Sequence, residues 1–205
     1  MKITWLGHSC FTVESQGYKI VLDPYKDGSV PGLAPVREEA DQVLCSHGHG
    51  DHCGTECVSL RQGKPSPFTV ESIETWHDDK KGALRGSNTI HVLSDGQCSV
   101  AHLGDLGCDL TPKQKDKLRH LTALLIPVGG HYTIDAAQAK RLADEFSPAV
   151  TVPMHYRQPG VGFDGIGTVD QFTKLCDDVV TYPGAELELT PRISRQTAVL
   201  NPQNA

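Results

Sequence analysis

Residues 46–54, with the sequence SHGHGDHCG, place four side chains that can ligate a metal ion in one short segment. They are His47, His49, Asp51 and His52. In an extended chain, residues 47, 49 and 51 project to one side because side chains alternate with a period of two. The intervening glycines let the backbone turn tightly enough to bring His52 to the same centre. Imidazole and carboxylate groups suit zinc, iron, manganese or nickel, so this spacing predicts a metal site rather than a polar loop of uncoordinated histidines.

Several predicted strands surround this segment and must position it. Alternating apolar residues predict three strands over residues 2–23, with a hairpin turn at residues 16–17, and a short strand at residues 42–46 leads directly into the histidines. Residues 24–41 contain three prolines and two glycines without periodicity, and they predict a surface loop. Further strands are predicted at residues 68–76, 89–93, 98–103, 123–127, 149–154, 179–182 and 186–189.

Helices are predicted only in the second half of the chain. A capping box at Thr111, with Gln114 three residues later, starts a helix that we expect to run to about Leu121. A second capping box at residues 168–171 predicts another helix. Between them, Asp135 can cap a helix whose apolar residues follow the helical period: Ala139, Leu142, Ala143 and Phe146. Strands therefore come first, followed by alternating helices and strands.

The length of 205 residues is enough for one domain with a sizeable core. No repeat or linker divides the chain, so we expect a single domain over residues 1–190 and a tail over residues 191–205, where the periodicity ends. The net charge of −6 disfavours non-specific binding to nucleic acid or to an anionic membrane surface. No apolar run reaches the length of a signal peptide or of a spanning helix.

Seven cysteines, an odd number, are scattered through the chain, and this pattern favours reduced thiols over a disulfide framework. A cytoplasmic location is the expectation that follows. Cys53 and Cys57 have a spacing that could ligate zinc, but no second pair of cysteines accompanies them, so buried free thiols fit the pattern better. The basic run at residues 113–119 is interpreted as a solvated helix face.

The pattern H-x-H-x-D-H after a strand resembles the signature of the metallo-β-lactamase fold hydrolases. That superfamily has three further metal-binding positions at strand ends, and the chain has one candidate for each: His77 in ETWHDD, Asp105 in HLGDLG and His155 in VPMHY. The resemblance covers residues 1 to about 190. It implies an α+β fold, the four-layer αββα sandwich of the metallo-β-lactamase type. Ser46 stands where the family commonly has Thr, a change from which we expect little effect.

Three other segments, GHSCF, LDPY and PVGGHYTID, are more similar to one branch of that superfamily. This branch contains ascorbate-6-phosphate lactonase and its many uncharacterised metal-dependent hydrolase relatives. The spacing between His77 and Asp105 also matches the branch and differs from that of typical β-lactamases. Hydrolysis of antibiotics is therefore not the expected activity.

The resemblance implies seven ligands that are shared between two divalent metal ions. One ion would take His47, His49 and His77, the other Asp51, His52 and His155, and Asp105 would bridge the two. Each assignment has an alternative, of which the strongest is that His77 is only an exposed histidine at a strand end. Zinc is the default from the ligand types, while manganese, nickel and iron also accept imidazole and carboxylate.

Three further residues are candidates for roles around the metal ions. His8 and His131 each lie in a glycine-flanked turn, where a histidine can line the site or simply support the turn. Asp23 is expected to orient a ligand imidazole, the alternative being that it caps the end of a strand. The remaining histidines are interpreted as structural or surface residues: His91, His102 and His120.

The predicted function is that of a metal-dependent hydrolase. Two adjacent metal ions can share a water molecule, lower its pKa toward about 7 and so supply hydroxide at neutral pH. In this hypothesis Asp51 and Asp105 hold the metal ions, and His131 stabilises a developing oxyanion or a substrate phosphate. The expected substrate is a small ester, lactone or phosphodiester, and the oligomeric state is left open. The alternatives are a di-iron redox protein and a metal-binding scaffold without turnover.

Overall fold

The computed structural model describes residues 1–205 and contains fourteen strands and three α-helices. In chain order the strands are β1 (Lys2–Gly7), β2 (Cys10–Ser15), β3 (Tyr18–Leu22), β4 (Glu38–Ala40), β5 (Gln42–Leu44), β6 (Val58–Leu60), β7 (Thr69–Trp76), β8 (Ser87–Ser94), β9 (Ser99–His102), β10 (Ala123–Pro127), β11 (Val150–Met154), β12 (Val179–Thr181), β13 (Glu186–Glu188) and β14 (Gln196–Val199). The helices are α1 (Pro112–Asp116), α2 (Ala136–Phe146) and α3 (Asp170–Thr173). None of them is long and apolar enough to cross a membrane.

Two large sheets and one small ribbon account for all the strands. The first sheet has five strands in the order β13-β1-β2-β3-β5, and the second has seven in the order β12-β14-β11-β10-β9-β8-β7. In the second sheet, β9, β10 and β11 run parallel, whereas β7 and β8 form an antiparallel hairpin next to them. The ribbon pairs β4 with β6. The predicted meander of β1, β2 and β3 is confirmed.

The two sheets pack face to face around the main core. Alternation along β1 sends Ile3 and Trp5 into this core and Leu6 to the opposite face, and the neighbouring strands follow the same rule. Strands β10 and β11 are buried at every position, which requires cover on both faces of their sheet. Helix α2 connects them and supplies that cover with its apolar stripe. The α+β sandwich of the metallo-β-lactamase type is thus the observed fold.

The outer layer on the five-stranded sheet is built from irregular chain. The segment expected to be a surface loop, residues 24–41, packs Tyr25, Val30 and Val36 against the outward face of that sheet and adds strand β4. Its prolines and glycines do prevent regular structure over most of its length, but its apolar residues are spaced to cover a sheet rather than to face water. Strands β4 and β6 were not predicted; they pair only with each other, outside both large sheets.

The helix predictions were correct in type and less accurate in extent. Asp135 caps α2 with a complete capping box, as predicted. Thr111 caps α1 in the same way, but this helix ends at Asp116, short of the predicted end, and His120 has a left-handed φ of 60° that no helix could continue through. The capping box expected at Thr168 does not form, because the Thr168 backbone bridges to Arg157 and α3 begins after Val169 instead.

The segment from residue 191, expected to be a tail, takes part in the second sheet. Strand β14 lies between β11 and β12, and Ala198 within it is completely buried. Beyond the strand, the Asn204 side chain donates a hydrogen bond to the Tyr25 hydroxyl at 2.8 Å. The strand is only four residues long, too short to show a period in the sequence, so its burial depends on the sheet that receives it.

Candidate metal centre

The predicted metal ligands meet at one edge of the sandwich. His77 directly follows β7, Asp105 follows β9, and His155 follows β11. These three strands point in the same direction, so their carboxyl ends reach the same edge. Residues 46–54 come after β5 of the other sheet and close the site from that side.

The first group of ligand atoms belongs to His47, His49 and His77, whose ring nitrogens all lie within 4.8 Å of one another. Nε2 of His47 is 3.1 Å from Nδ1 of His49. Two of these residues come from the histidine-rich segment and the third from the end of β7. The structure therefore brings together the three residues that the resemblance assigned to one metal ion.

The second group contains Asp51, His52 and His155, again with all ligand atoms within 4.8 Å, and it includes His8 as a fourth member. Oδ2 of Asp51 is 3.3 Å from Nε2 of His8 and 3.6 Å from Nε2 of His52. The structure thus places His8 within the cluster, next to the predicted ligands.

Asp105 lies between the two groups. Its Oδ2 is 3.2 Å from Nε2 of His52, 3.2 Å from Nε2 of His77 and 3.3 Å from Nε2 of His155. One carboxylate oxygen thus contacts ligands of both groups. Burial raises the pKa of this carboxyl group, but the surrounding imidazoles outweigh burial and hold its pKa well below the usual range, so the group is ionised at neutral pH.

Several buried polar atoms in this cluster have no hydrogen-bond partner. They are Nδ1 and Nε2 of His8, Nε2 of His52, Nδ1 of His77, Nδ1 of His155 and Oδ1 of Asp105. Unpaired buried polar atoms are costly, and their concentration at one point calls for an explanation. A set of imidazole nitrogens and carboxylate oxygens is the donor set of divalent transition metals, so the residues fit a pair of such ions.

Two of the cluster imidazoles, those of His47 and His8, are held in the neutral form that ligation requires. Burial, reinforced by the neighbouring His52 ring, lowers the pKa of His47 to about 3. Burial and the neighbouring His155 ring lower the pKa of His8 to about 4. At pH 7 both imidazoles therefore keep a free lone pair.

Asp23 accepts hydrogen bonds from His52 and Ser46 on the side away from the cluster. Its carboxylate is completely buried and can only accept, so Nδ1 of His52, at 2.7 Å from Oδ2, must carry a proton. The same carboxylate accepts from the Ser46 backbone N–H and hydroxyl, each at 2.6 Å. The Ser46 oxygen in turn lies 2.9 Å from Nδ1 of His47. These contacts leave Nε2 of both histidines free to face the cluster, which is the orienting role expected of Asp23.

Residue 104, just before the bridging carboxylate, must be a glycine. Gly104 has a φ of +54°, and a Cβ on it would lie 2.4 Å from both Oδ1 of Asn88 and Cβ of Ser46. Asn88, which is completely buried, uses that Oδ1 to accept from the Asp105 N–H at 2.9 Å. Nothing in the sequence pattern indicated this role for Asn88.

The backbone at this edge is also strained. His8, Asp23 and His155 have φ angles of 54°, 45° and 53°, in the left-handed region that residues with a side chain seldom adopt. Strain of this kind persists only where the surrounding structure enforces it, and it is typical of functional sites.

The other histidines lie outside the cluster. His131 is exposed, and its ring packs on Tyr132 with the ring centres 4.4 Å apart. His102 is completely buried and structural, with Nε2 at 2.8 Å from the Ser9 carbonyl. His91 bonds to the Cys45 carbonyl.

The seven cysteines are free thiols, and none belongs to a group that could hold a metal ion. Cys53 and Cys57, expected to be buried, are only half-buried, because they lie in the surface segment after the histidines, and Cys57 donates to the Asp27 carboxylate. In the basic run, Lys115 and Lys117 form ion pairs on the exposed surface, as a solvated face should.

A cavity of about 220 Å³ opens onto the cluster. Its lining includes five of the predicted ligands and three residues that the sequence analysis did not identify, which are Arg85, Tyr132 and Phe163. Tyr132 could have been suspected because it is adjacent to His131 in the PVGGHYTID segment. Arg85 and Phe163 come from irregular loops, where no spacing indicates which residues turn toward a site.

The geometry defines a class of protein, a β-sandwich with a cluster of histidines and aspartates at one edge that is able to bind metal, and comparison with known proteins places it in a family of that class. A family model described as a β-lactamase superfamily domain matches residues 2–155. A protein of Carboxydothermus hydrogenoformans named "UPF0173 metal-dependent hydrolase" is 31% identical over an alignment of length 191, and the match covers 76% of this chain and 84% of the relative. A UPF0173 protein of Pyrococcus abyssi is 30% identical and covers 91% of this chain and its own full length.

A solved structure from Thermotoga maritima, described as a member of the metallo-β-lactamase superfamily, has a TM-score of 0.79 and 35% sequence identity. The match covers 98% of this chain and 99% of that one. The chain therefore belongs to the metallo-β-lactamase superfamily and, within it, to the UPF0173 metal-dependent hydrolases.

Proposed function

We propose that this protein hydrolyses a small ester, lactone or phosphodiester with the help of two divalent metal ions. The observation that carries the proposal is the position of Asp105, because a single carboxylate oxygen contacts imidazoles of both ligand groups. A carboxylate placed in this way would hold two ions at one site instead of serving one of them alone. Zinc is the first choice from the ligand types, followed by manganese, nickel and iron.

The ligands divide into two sets around the shared carboxylate. His47, His49 and His77 would hold one ion, and Asp51, His52 and His155 the other. When bound, such a pair lowers the pKa of a water molecule toward about 7 and polarises the bond under attack. No side chain of the protein then has to serve as the nucleophile.

The chain's own residues prepare this site. Asp23 keeps the proton of His52 on Nδ1, so that Nε2 presents its lone pair to the cluster. His8 is neutral at pH 7, and its Nε2 lies 3.3 Å from Oδ2 of Asp51, so its ring borders that carboxylate within the cluster. Asn88 fixes the backbone of Asp105.

Tyr132 is the better candidate for contact with the substrate oxygen than its neighbour His131. The sequence hypothesis gave His131 the role of stabilising an oxyanion. Tyr132, however, lines the cavity, while the exposed His131 ring does not. A phenol hydroxyl can donate a hydrogen bond to a developing negative charge, so we assign this contact to Tyr132.

The cavity volume, the net charge and the free thiols support proposals about the substrate size, the partners and the cellular compartment. The cavity of about 220 Å³ suits a small-molecule substrate. The net charge of −6 argues against nucleic acid as a partner. Seven free cysteines support a reducing compartment, and the cytoplasm is the location we propose.

Metal content and turnover measured together would test this function. Protein purified without chelator or nickel affinity resin should contain about two metal equivalents per chain by plasma mass spectrometry. His49→Ala and Asp105→Ala should lower that content and abolish turnover, while His120→Ala, an exposed residue outside the cluster, should change neither.

A γ-lactone and bis(p-nitrophenyl) phosphate would separate the substrate classes, because only a phosphodiesterase should cleave the second efficiently. A protein that binds no metal after reconstitution would overturn the proposal. A visible absorption band typical of oxo-bridged iron, without hydrolysis, would favour the redox alternative instead.

A further inference from the structure

An arginine with no acidic partner lies at the cavity that opens onto the metal ligands. Arg85 is half-buried, lines this cavity and forms no ion pair with any carboxylate. Its one side-chain hydrogen bond goes from Nη2 to the His131 carbonyl at 3.3 Å. A guanidinium group has five N–H donors, so most of its donors have no partner within the protein.

The side chain of Arg85 is nevertheless held in place. Its Cζ lies 5.6 Å from the centre of the Tyr132 ring, within the range of a cation–π contact. This contact and the bond to the His131 carbonyl fix the guanidinium beside the cavity. A guanidinium that is fixed before a ligand arrives loses less entropy on binding than a freely moving lysine or arginine would.

The loop that carries Arg85 is folded around one buried carboxylate. Asp78 is only 2% exposed and accepts backbone N–H bonds from Lys80 (2.8 Å), Gly82 (3.0 Å), Leu84 (3.0 Å) and Arg85 itself (2.7 Å). Four bonds to one side chain determine the path of the loop. Because Asp78 directly follows the ligand His77, the same anchor ties the position of Arg85 to the metal centre.

The cavity becomes electropositive when the metal centre is filled. Two divalent cations would outweigh the three carboxylates of the centre, those of Asp23, Asp51 and Asp105, and Arg85 adds a further positive charge at the same cavity. The protein as a whole has a net charge of −6, so this region has the opposite sign to the rest of the molecule. Such a contrast favours the entry of a negatively charged ligand.

From these observations we propose that Arg85 forms an anion-binding subsite, which takes an oxyanion group of the substrate distinct from the bond that is cleaved. The group is a carboxylate or a phosphate, since both present two oxygens to the fork of a guanidinium. Asp78 is the positioning residue that sets the loop. This inference rests on the proposed function and narrows its substrate to a small ester, lactone or phosphodiester with a second, anionic group.

Binding of non-reactive probes tests the subsite without relying on turnover. The probes are succinate, glutarate and adipate, each compared by calorimetry with the monocarboxylate of equal length, using protein loaded with the same metal. For at least one length, we expect the second carboxylate to strengthen binding to the wild type by about tenfold to a hundredfold. Comparing 3-phosphonopropionate with succinate then shows whether the subsite prefers a phosphate-like or a carboxylate group.

Variants of Arg85 show whether its side chain causes the tighter binding of the dicarboxylates. In Arg85→Met the advantage of the second anion should fall to less than about threefold, and Arg85→Lys should retain part of it. The matched control is Arg157→Met, which removes an arginine from a neighbouring cleft that does not reach the metal ligands. Asp78→Asn should weaken the advantage with unchanged metal content, and if that variant does not fold, Arg85→Met carries the test alone.

Two outcomes would overturn the subsite. One is a wild type that shows no advantage for any second anion, and the other is an advantage that survives in Arg85→Met. Failure of the proposed function is a separate result, because a protein that hydrolyses no ester, lactone or phosphodiester would still yield these binding ratios.

Discussion

At the edge of the sandwich that carries the β8–β9 turn, the Asp95 carboxylate accepts hydrogen bonds from the Ser15 hydroxyl at 2.6 Å and from the backbone N–H groups of Gln97 (3.0 Å) and Cys98 (2.8 Å). At the opposite edge, Oδ1 of Asp105 is buried without any partner. Asp95 joins the two sheets, and both of its carboxylate oxygens accept hydrogen bonds. Asp105 is surrounded by imidazole nitrogens that also lack hydrogen-bond partners. The first edge is built for stability, and the second is completed only by a ligand.

The largest expected effect comes from Asp105→Asn. We expect kcat/KM to fall by more than about a hundredfold, because the ions lose their shared carboxylate. The free energy of unfolding of the metal-free protein should also fall, because the neighbouring imidazoles stabilise the ionised carboxylate and an amide loses that attraction. Steady-state kinetics and urea denaturation measure the two quantities. An unchanged kcat/KM would contradict the contrast between the two edges.

Asp23→Asn should have the next largest effect. It removes the acceptor that fixes the proton on Nδ1 of His52, and changes of this kind lower metal affinity by about tenfold to a hundredfold. Competition with a coloured chelator would measure the affinity. An unchanged affinity would show that the His52 ring is oriented without Asp23.

Asp95→Ala should lower stability without affecting metal binding or activity. The loss of its hydrogen bonds should lower the free energy of unfolding by about 1–2 kcal/mol. Metal content and kcat/KM should remain those of the wild type, because the residue lies at the far edge. Denaturation and metal analysis of the same preparation check both parts, and a loss of metal would mean that the two edges are coupled.

The contribution of Asp95 should also depend on pH. Burial raises the pKa of this carboxyl group, but the bonds from Cys98, Ser15 and Gln97 outweigh it and leave the pKa below its usual value. A carboxyl group with a lowered pKa in the folded state stabilises the fold above about pH 4 and loses this contribution as the pH falls further. Urea denaturation of the metal-free protein between pH 3 and 6 should therefore show a shallower acid loss in Asp95→Asn than in the wild type.

The smallest effect is expected for His131→Ala. Its ring is exposed and does not line the cavity, so kcat/KM should change by less than about twofold. Tyr132→Phe, the matched change at the neighbouring residue, should have the larger effect. A loss of activity in His131→Ala that exceeds the loss in Tyr132→Phe would restore the oxyanion role to His131.

Part of the metal edge could be predicted from local sequence. The spacing of His47, His49, Asp51 and His52 is visible without knowledge of the fold, whereas Asp105 was assigned through the resemblance to a family. The residues that complete the site could not be found in this way. Asn88 and Arg85 reach it through strand pairing and through a loop wound around Asp78, and neither leaves a periodic signal.

The same distinction applies to the fold. Strands β1, β2 and β3 alternate clearly, and α2 has both its cap and its apolar stripe. The short strands β4, β6 and β14 show no clear alternation in the sequence. Strands of three or four residues form only where a neighbouring strand supplies the hydrogen bonds. Their existence is a property of the assembled sheet rather than of the local sequence.

The placement of β14 has a consequence for the order in which the molecule is completed. All seven predicted metal ligands precede it in the chain, the last being His155 just after β11, yet β11 lacks a partner on one side until β14 pairs with it. During synthesis, a nascent chain that already contains every predicted ligand still has an open sheet edge beside them. That edge is closed only when β14 inserts between β11 and β12.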